Sequence, residues 1–160
     1  MEHSLQLLAA ILLIRFVALE SQYQKPNRIG NELRFPAGMG LRVILGLGIP
    51  LCLYGVYEAT KLARNTGEWW LPVICLVFAL LAIFGDPGEI RARPDGLTLL
   101  RLLGLRRRHI GWPGAAASHT PGNREILVIG EDGTTITHSQ YHVGHDEFLF
   151  ELKRHGVFVQ

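Results

Sequence analysis

Two long uncharged stretches, 43–57 and 69–85, stand out in the hydrophobic pattern of the first half of the chain. A helix rises about 1.5 Å per residue, so it needs roughly 20 residues to cross the hydrocarbon core of a bilayer. Each stretch approaches that length once its flanking residues are included. The pattern therefore predicts two transmembrane helices, at about 41–62 and 68–85.

The segment between the predicted helices has room only for an antiparallel turn, so the two helices should form a hairpin. Trp69 and Trp70 open the second helix, where tryptophan is typical of the boundary between lipid and water. The alternative is a pair of core helices in a soluble protein. We disfavour it because a domain this small could hardly cover two helices that are apolar on every side.

Small residues recur at helical spacing along both predicted helices, as close helix packing in lipid requires. They are Gly48, Cys52, Gly55 and Ala59 in the first helix and Cys75, Ala79 and Ala82 in the second. The two cysteines are predicted to lie at similar depth. We interpret them as packing residues rather than as a disulfide or a metal site, because a small thiol packs well in an apolar seam.

Basic residues are more frequent on the outer flanks of the hairpin than in its turn. The outer flanks contribute Lys25, Arg28, Arg34, Arg42, Arg91, Arg93 and Arg101, against Lys61 and Arg64 in the turn. Segments on the cytoplasmic side of a membrane carry an excess of Lys and Arg. Both flanks are therefore predicted to be cytoplasmic.

The N-terminal region, 1–40, contains an apolar segment at 5–19 with Arg15 near its middle. This segment is short for a span, so we predict a helix that lies along the membrane interface, with a third transmembrane helix as the alternative. The following segment, 22–39, is rich in Pro and Gly. It is predicted to be either a polar connector or a pair of short strands.

After the hairpin region, 41–88, the periodicity becomes that of β-strands separated by Gly, Asp and Pro turns. Strands are predicted at 89–93, 97–103, 106–112, 115–119, 125–130 and 134–138. Acidic residues at its start, basic residues at its end and a following glycine predict a helix over about 146–155. Residues 89–160 should therefore form a small antiparallel β-domain with a C-terminal helix.

The composition fits this division. Of the 160 residues, 48% are hydrophobic and 19% are charged, which argues against an average soluble enzyme and against disorder. The net charge of +2 gives no general drive toward nucleic acid, so no nucleic-acid partner is predicted. The predicted partners are the lipid bilayer and other integral membrane subunits.

Four features follow the predicted hairpin in order: an Asp95-Gly96 turn, a basic strand ending in Ile110-Gly111-Trp112, an Asp132-Gly133 turn, and a helix beginning with His-Asp-Glu-Phe. This order, over roughly 41–156, resembles the small bacterial pleckstrin-homology-like membrane proteins. The resemblance implies an α+β protein of the bacterial inner membrane. A transmembrane helical hairpin would precede a small antiparallel PH-like β-barrel, or a half-barrel because the domain is short, with a C-terminal helix.

Arginines form the strongest charge feature of the C-terminal domain: Arg91, Arg93, Arg101, Arg106, Arg107 and Arg108. Near an anionic leaflet each cation contributes on the order of 1 kcal/mol. In the family that the chain resembles, a basic first hairpin is where phosphoinositide head groups bind. The plainer interpretation is a solvated turn that orients the domain against head groups. We predict that these arginines, with Trp69 and Trp70, contact lipid or a partner.

His138, His142 and His145 lie close together in sequence, beside Asp146. Three imidazoles and a carboxylate can bind zinc, but His138 ends a predicted strand and His145 begins a predicted helix, and no Cys pair or H-E-x-x-H motif accompanies them. We predict a polar loop with no metal and no cofactor. The sequence also lacks a P-loop and a G-x-S-x-G motif, so no small-molecule substrate is identified and no enzymatic activity is predicted.

These patterns lead us to expect a non-enzymatic accessory or assembly subunit of a larger bacterial inner-membrane complex. It would be a multi-pass protein that docks through its transmembrane hairpin and its cytoplasmic PH-like domain. The alternative is a module that senses or binds an anionic lipid surface through the basic hairpin at 106–108.

Overall fold

A computed structural model describes residues 12, 15–17, 19–21, 23–120 and 124–159 of the chain. These residues form two compact units. One unit is helical and covers Leu41–Asp86. The other, called the sheet unit below, combines the described residues up to Gly40 with those from Pro87 onward.

The helical unit is built from two helices, α1 (Met39–Thr66) and α2 (Trp70–Phe84), which lie where the two transmembrane helices were predicted. At about 1.5 Å per residue, the 28 residues of α1 extend about 42 Å. Among the described residues, α1 is the one helix long and apolar enough to cross a membrane, and its most apolar window has no buried side chain. With 15 residues, α2 extends about 22 Å, which is shorter than the hydrocarbon core of a typical bilayer.

The sheet unit contains a five-stranded antiparallel sheet whose strands follow one another in chain order. Its members are β1 (Asn27–Ile29), β2 (Glu32–Pro36), β3 (Glu89–Arg93), β4 (Gly96–Arg101) and β5 (Arg106–Gly111). A single 3-10 turn, Leu102–Gly104, connects β4 to β5.

A second, three-stranded antiparallel sheet consists of β6 (Ala116–Thr120), β7 (Glu125–Ile129) and β8 (Thr135–His138). It is followed by the helix α3 (His145–Arg154). The strand order agrees with the predicted α+β arrangement of a helical hairpin, antiparallel strands and a C-terminal helix. Over the described residues the two hydrogen-bonded ladders remain separate sheets, so they do not form the closed barrel that was one of the two predicted forms.

Alternation along the strands explains where the core lies. In β3 the side chains of Ile90 and Ala92 are buried while their neighbours are half-buried. Phe148 and Leu152 of α3 are fully buried in the same cluster, four residues apart and therefore on one face of the helix. The ring of Phe148 meets that of Phe35 edge to face, with centroids 5.1 Å apart. The C-terminal helix is thus held by its apolar face.

The strand β2 precedes both long helices in sequence, yet it pairs with β3, which follows them. The register places Phe35 opposite Ile90 and Arg34 opposite Arg91. Of the two readings of 22–39, the pair of short strands is the observed one. The predicted interfacial helix at 5–19 lies mostly outside the described residues. Farther along, Ser21 donates a hydrogen bond from Oγ to Gln140 O at 2.6 Å.

Candidate functional site

Two of the six arginines predicted to contact lipid or a partner belong to an ion-pair network on the outer face of the five-stranded sheet. Arg91 Nε lies 2.7 Å from Glu89 Oε1, and Arg93 pairs with Glu32. Arg34 bridges the two carboxylates, at 3.3 Å from Glu32 and 3.9 Å from Glu89. Arg91 is therefore half-buried and paired within β3, and Arg93 is half-buried and paired across to β2, so neither is free to meet head groups.

The other four arginines lie on β4 and β5. Arg101 donates from Nε to Pro87 O at 3.3 Å, and Arg108 donates from Nη1 to Thr135 O at 3.2 Å. Arg106 and Arg107 are exposed and make no ion pair among the described residues. The basic run 106–108 therefore remains the part of the predicted contact surface that faces solvent.

Sequence reasoning missed Leu105, which immediately precedes the basic run. Its side chain is 87% exposed, because the 3-10 turn between β4 and β5 carries it away from the core. The only sequence signal was a lone leucine between Gly104 and three arginines. An exposed apolar side chain beside cations is the combination that inserts at a lipid surface.

The predicted aromatic pair lies at the start of α2. Trp69 precedes the first residue of the helix and Trp70 is that residue. Their side chains are 55% and 57% exposed. Both indoles are therefore accessible to a surrounding lipid or protein, as the prediction of a contact role requires.

The predicted seam of small residues is present in part. A Cβ added to Gly55 would lie 3.6 Å from Cys75 Sγ, so these two positions face each other, and Ala79 of α2 is buried. Cys52 and Cys75 are free thiols. By contrast, a Cβ added to Gly48 would meet none of the described atoms within 4 Å. Ala82 lies in α2 between Leu81 and Ile83.

The three histidines of the predicted polar loop are brought together around His138. The ring centroid of His138 lies 5.1 Å from that of His142 and 5.6 Å from that of His145. It also stacks on Phe148, with centroids 4.4 Å apart. Within the described part of the chain, no three His, Cys, Asp or Glu side chains are arranged to hold a metal ion.

His138 is fully buried, and its Nε2 lies 3.3 Å from Val143 O, which accepts a hydrogen bond from it in the matching tautomer. Burial lowers the pKa of His138 well below its usual value, and His142 and His145 lower it further. Burial also lowers the pKa of His145, against an opposing effect of Asp146. Burial therefore favours the neutral form of His138 and of His145 at neutral pH.

Neither family models, curated proteins nor solved structures give a match to this chain.

Proposed function

We propose that the chain is a non-enzymatic accessory or assembly subunit of a larger bacterial inner-membrane complex. In this proposal both helices cross the membrane as a hairpin, the PH-like sheet unit lies in the cytoplasm, and both parts dock onto other subunits. The observation that carries the proposal is the exposed apolar surface of α1. Apolar helix faces of this kind need lipid or other helices to cover them.

Large side chains are exposed on several faces of both helices. They include Leu47, Leu51, Tyr54 and Tyr57 of α1 and Phe78, Leu81 and Phe84 of α2. Within α1, Gly46 and Gly48 leave open space around their backbone, and glycine allows the backbone of a second helix to approach closely. This part of α1 is the proposed contact with a partner helix.

The sheet unit adds a second set of exposed aromatic side chains. Phe150 of α3 is 68% exposed and Phe158 is 85% exposed. Aromatic residues are enriched at the centres of protein interfaces. These two side chains are the proposed contacts of the sheet unit with a neighbouring subunit.

The proposal is tested by native mass spectrometry of the full chain, extracted from its own membranes in mild detergent. We expect a species heavier than the monomer. The variant Gly48→Leu should lose that species because it fills the open part of α1, while Val43→Leu, at an exposed position of the same helix, should retain it. A monomer in every preparation, or a complex that persists in Gly48→Leu, contradicts the proposal.

A second candidate function is binding to an anionic lipid surface, favoured by exposed Leu105 beside Arg106 and Arg107. Hydrogen exchange of 102–110 can be compared between nanodiscs of phosphatidylcholine and nanodiscs containing phosphatidylglycerol, always in the full chain because β2 completes the sheet. We expect slower exchange with the anionic lipid, and loss of that effect when 106–108 are changed to Ala. Lys153→Ala, which removes an exposed cation from α3, is the control. Equal exchange in both nanodiscs would rule out this candidate.

A further inference from the structure

A cavity of about 180 Å³ lies in the sheet unit, where the β1–β2 turn, the β3–β4 turn and the last turn of α3 come together. Its polar walls are formed by Arg28, Asn31, Arg93, Glu151, Arg154 and His155. Arg28 and Asn31 come from the β1–β2 hairpin, Arg93 comes from the β3–β4 hairpin, and Glu151 comes from α3. Only the folded sheet unit therefore assembles the cavity.

The walls of the cavity carry an excess of positive charge. Three guanidinium groups stand against the single carboxylate of Glu151, which gives a net charge of +2 with the imidazole of His155 counted as neutral. The Glu151 carboxylate is already engaged, at 3.2 Å from His155 Nε2 and 3.7 Å from Arg154 Nη1. Glu32, whose carboxylate pairs with Arg93, also pairs with Arg34. Counting Glu32 and Arg34 as well adds one negative and one positive charge, so the net charge of +2 is unchanged.

Donors in these walls lack acceptors. Arg93 Nε is buried and has no hydrogen-bond partner among the described residues. Arg28 makes no ion pair with any described carboxylate. A buried N–H without an acceptor is destabilising, and an oxyanion in the cavity would supply acceptors to a cluster of guanidinium groups.

Two wall residues are fixed in place by Trp112. The indole donates Nε1–H to Arg93 O at 2.8 Å, and its ring stacks on the His155 imidazole with centroids 4.1 Å apart. Trp112 is itself buried. The cavity therefore has walls that are positioned before any ligand arrives, which reduces the entropy lost on binding.

We propose that this cavity binds the phosphate group of a small phosphate ester. A phosphomonoester carries a charge of about −1.5 to −2 at neutral pH, which matches the excess of +2, whereas a monocarboxylate neutralises only half of it. The volume is close to that of a cavity of about 150 Å³ that holds benzene, so the ligand has only a few non-hydrogen atoms beyond the phosphate. A soluble ester and a lipid head group share this chemistry.

The test uses the full chain in phosphatidylcholine nanodiscs, with glycerol 3-phosphate as the probe and isothermal titration calorimetry as the measurement. Arg28→Gln and Arg154→Gln each remove one cation from the walls, and both side chains are exposed enough for the fold to tolerate the change. We expect each variant to weaken binding by tenfold or more. The control, Arg64→Gln, removes the same charge from an exposed position in the last turn of α1, outside the cavity, and should change the affinity by less than twofold.

Replacing part of the phosphatidylcholine with phosphatidic acid identifies the source of the phosphate. Weaker apparent binding of glycerol 3-phosphate in those nanodiscs indicates a competing lipid head group, and unchanged binding indicates a soluble ester. The proposal is overturned if glycerol 3-phosphate does not bind, if glycerate binds as tightly, or if Arg64→Gln weakens binding as much as the two cavity variants do.

Discussion

The indole of Trp112 lies parallel to the imidazole of His155, with ring centroids 4.1 Å apart and 3° between the ring planes. Because the same indole donates a hydrogen bond to Arg93 O, one side chain joins the end of β3 to the end of α3. The Ile110-Gly111-Trp112 sequence thus has a physical role in this chain. Ile110 is buried in the core, and Trp112 contacts both the sheet, at Arg93 O, and the end of the C-terminal helix, at His155.

Two replacements of Trp112 should destabilise the sheet unit to different extents. Trp112→Phe keeps an aromatic ring but leaves Arg93 O without its donor, so the free energy of unfolding should fall by about 1 kcal/mol. Trp112→Ala also removes the packed ring and should lower it by about 3–5 kcal/mol. Hydrogen exchange of the α3 amides measures both losses. Trp70→Ala, at an exposed indole, is the control, and an equal effect of all three variants would contradict this assignment.

The buried His138 should make the sheet unit sensitive to acid. Its pKa is lowered in the folded state, so below the unfolded value of about 6.5 the unfolded state binds more protons and stability falls as the pH falls. Down to the lowered folded pKa, one such group contributes a slope of up to about 1.4 kcal/mol per pH unit. Above pH 6.5 it contributes no pH dependence.

His138→Gln should remove that contribution, because Gln presents an N–H to Val143 O but does not titrate. The measurement is the free energy of unfolding, obtained from denaturant titrations at pH 7.5 and pH 5.5. Hydrogen exchange of the α3 amides is the signal that monitors unfolding of the sheet unit. His109→Gln, an exposed histidine on β5, is the matched control and should keep the wild-type slope. The same slope in wild type and His138→Gln would show that this histidine is not the acid-sensitive group.

The sequence predicts local elements well where the pattern is strong and fails where partners are distant in the chain. The strand at 89–93 was predicted with the bounds that β3 has, because its strand periodicity ends at the Pro94-Asp95-Gly96 turn. Its pairing with β2 was not predicted, since 52 residues separate Pro36 from Glu89 and no local pattern specifies a partner across two helices.

The candidate sites show the same limit. The sequence identified the basic residues, but it could not separate Arg93, which is paired with Glu32 across two strands, from Arg107, which faces solvent. It also could not assemble the cationic cavity, because Arg28 and Arg154 come from opposite ends of the chain. Charge can be counted from sequence, whereas the partner of each charge depends on the tertiary fold.

Removing Glu32 should show how strongly the outer ion-pair network supports the five-stranded sheet. Glu32→Gln leaves Arg34 and Arg93 without their shared carboxylate, and all three side chains are less than a third exposed. We expect the free energy of unfolding to fall by about 1 kcal/mol, because partly exposed ion pairs in a network stabilise a fold only slightly more than isolated surface ion pairs do. The control Glu131→Gln, at the exposed β7–β8 turn, should change stability by less than about 0.5 kcal/mol. Equal losses would indicate a nonspecific charge effect.

The contact between Gly55 and Cys75 should determine how closely α1 and α2 pack. A Cβ at position 55 would make an ordinary contact with Cys75 Sγ at 3.6 Å, so Gly55→Ala should leave the helical unit intact. Gly55→Leu places three further carbons at the same contact and should cost about 1–3 kcal/mol through overpacking. Gly48→Leu, which adds the same side chain in open space, should leave the isolated chain as stable as wild type. Thermal unfolding of the purified chain in detergent measures all three variants. If Gly48→Leu destabilises the monomer as much as Gly55→Leu does, the two glycines have equivalent surroundings and α1 has no open face at that position.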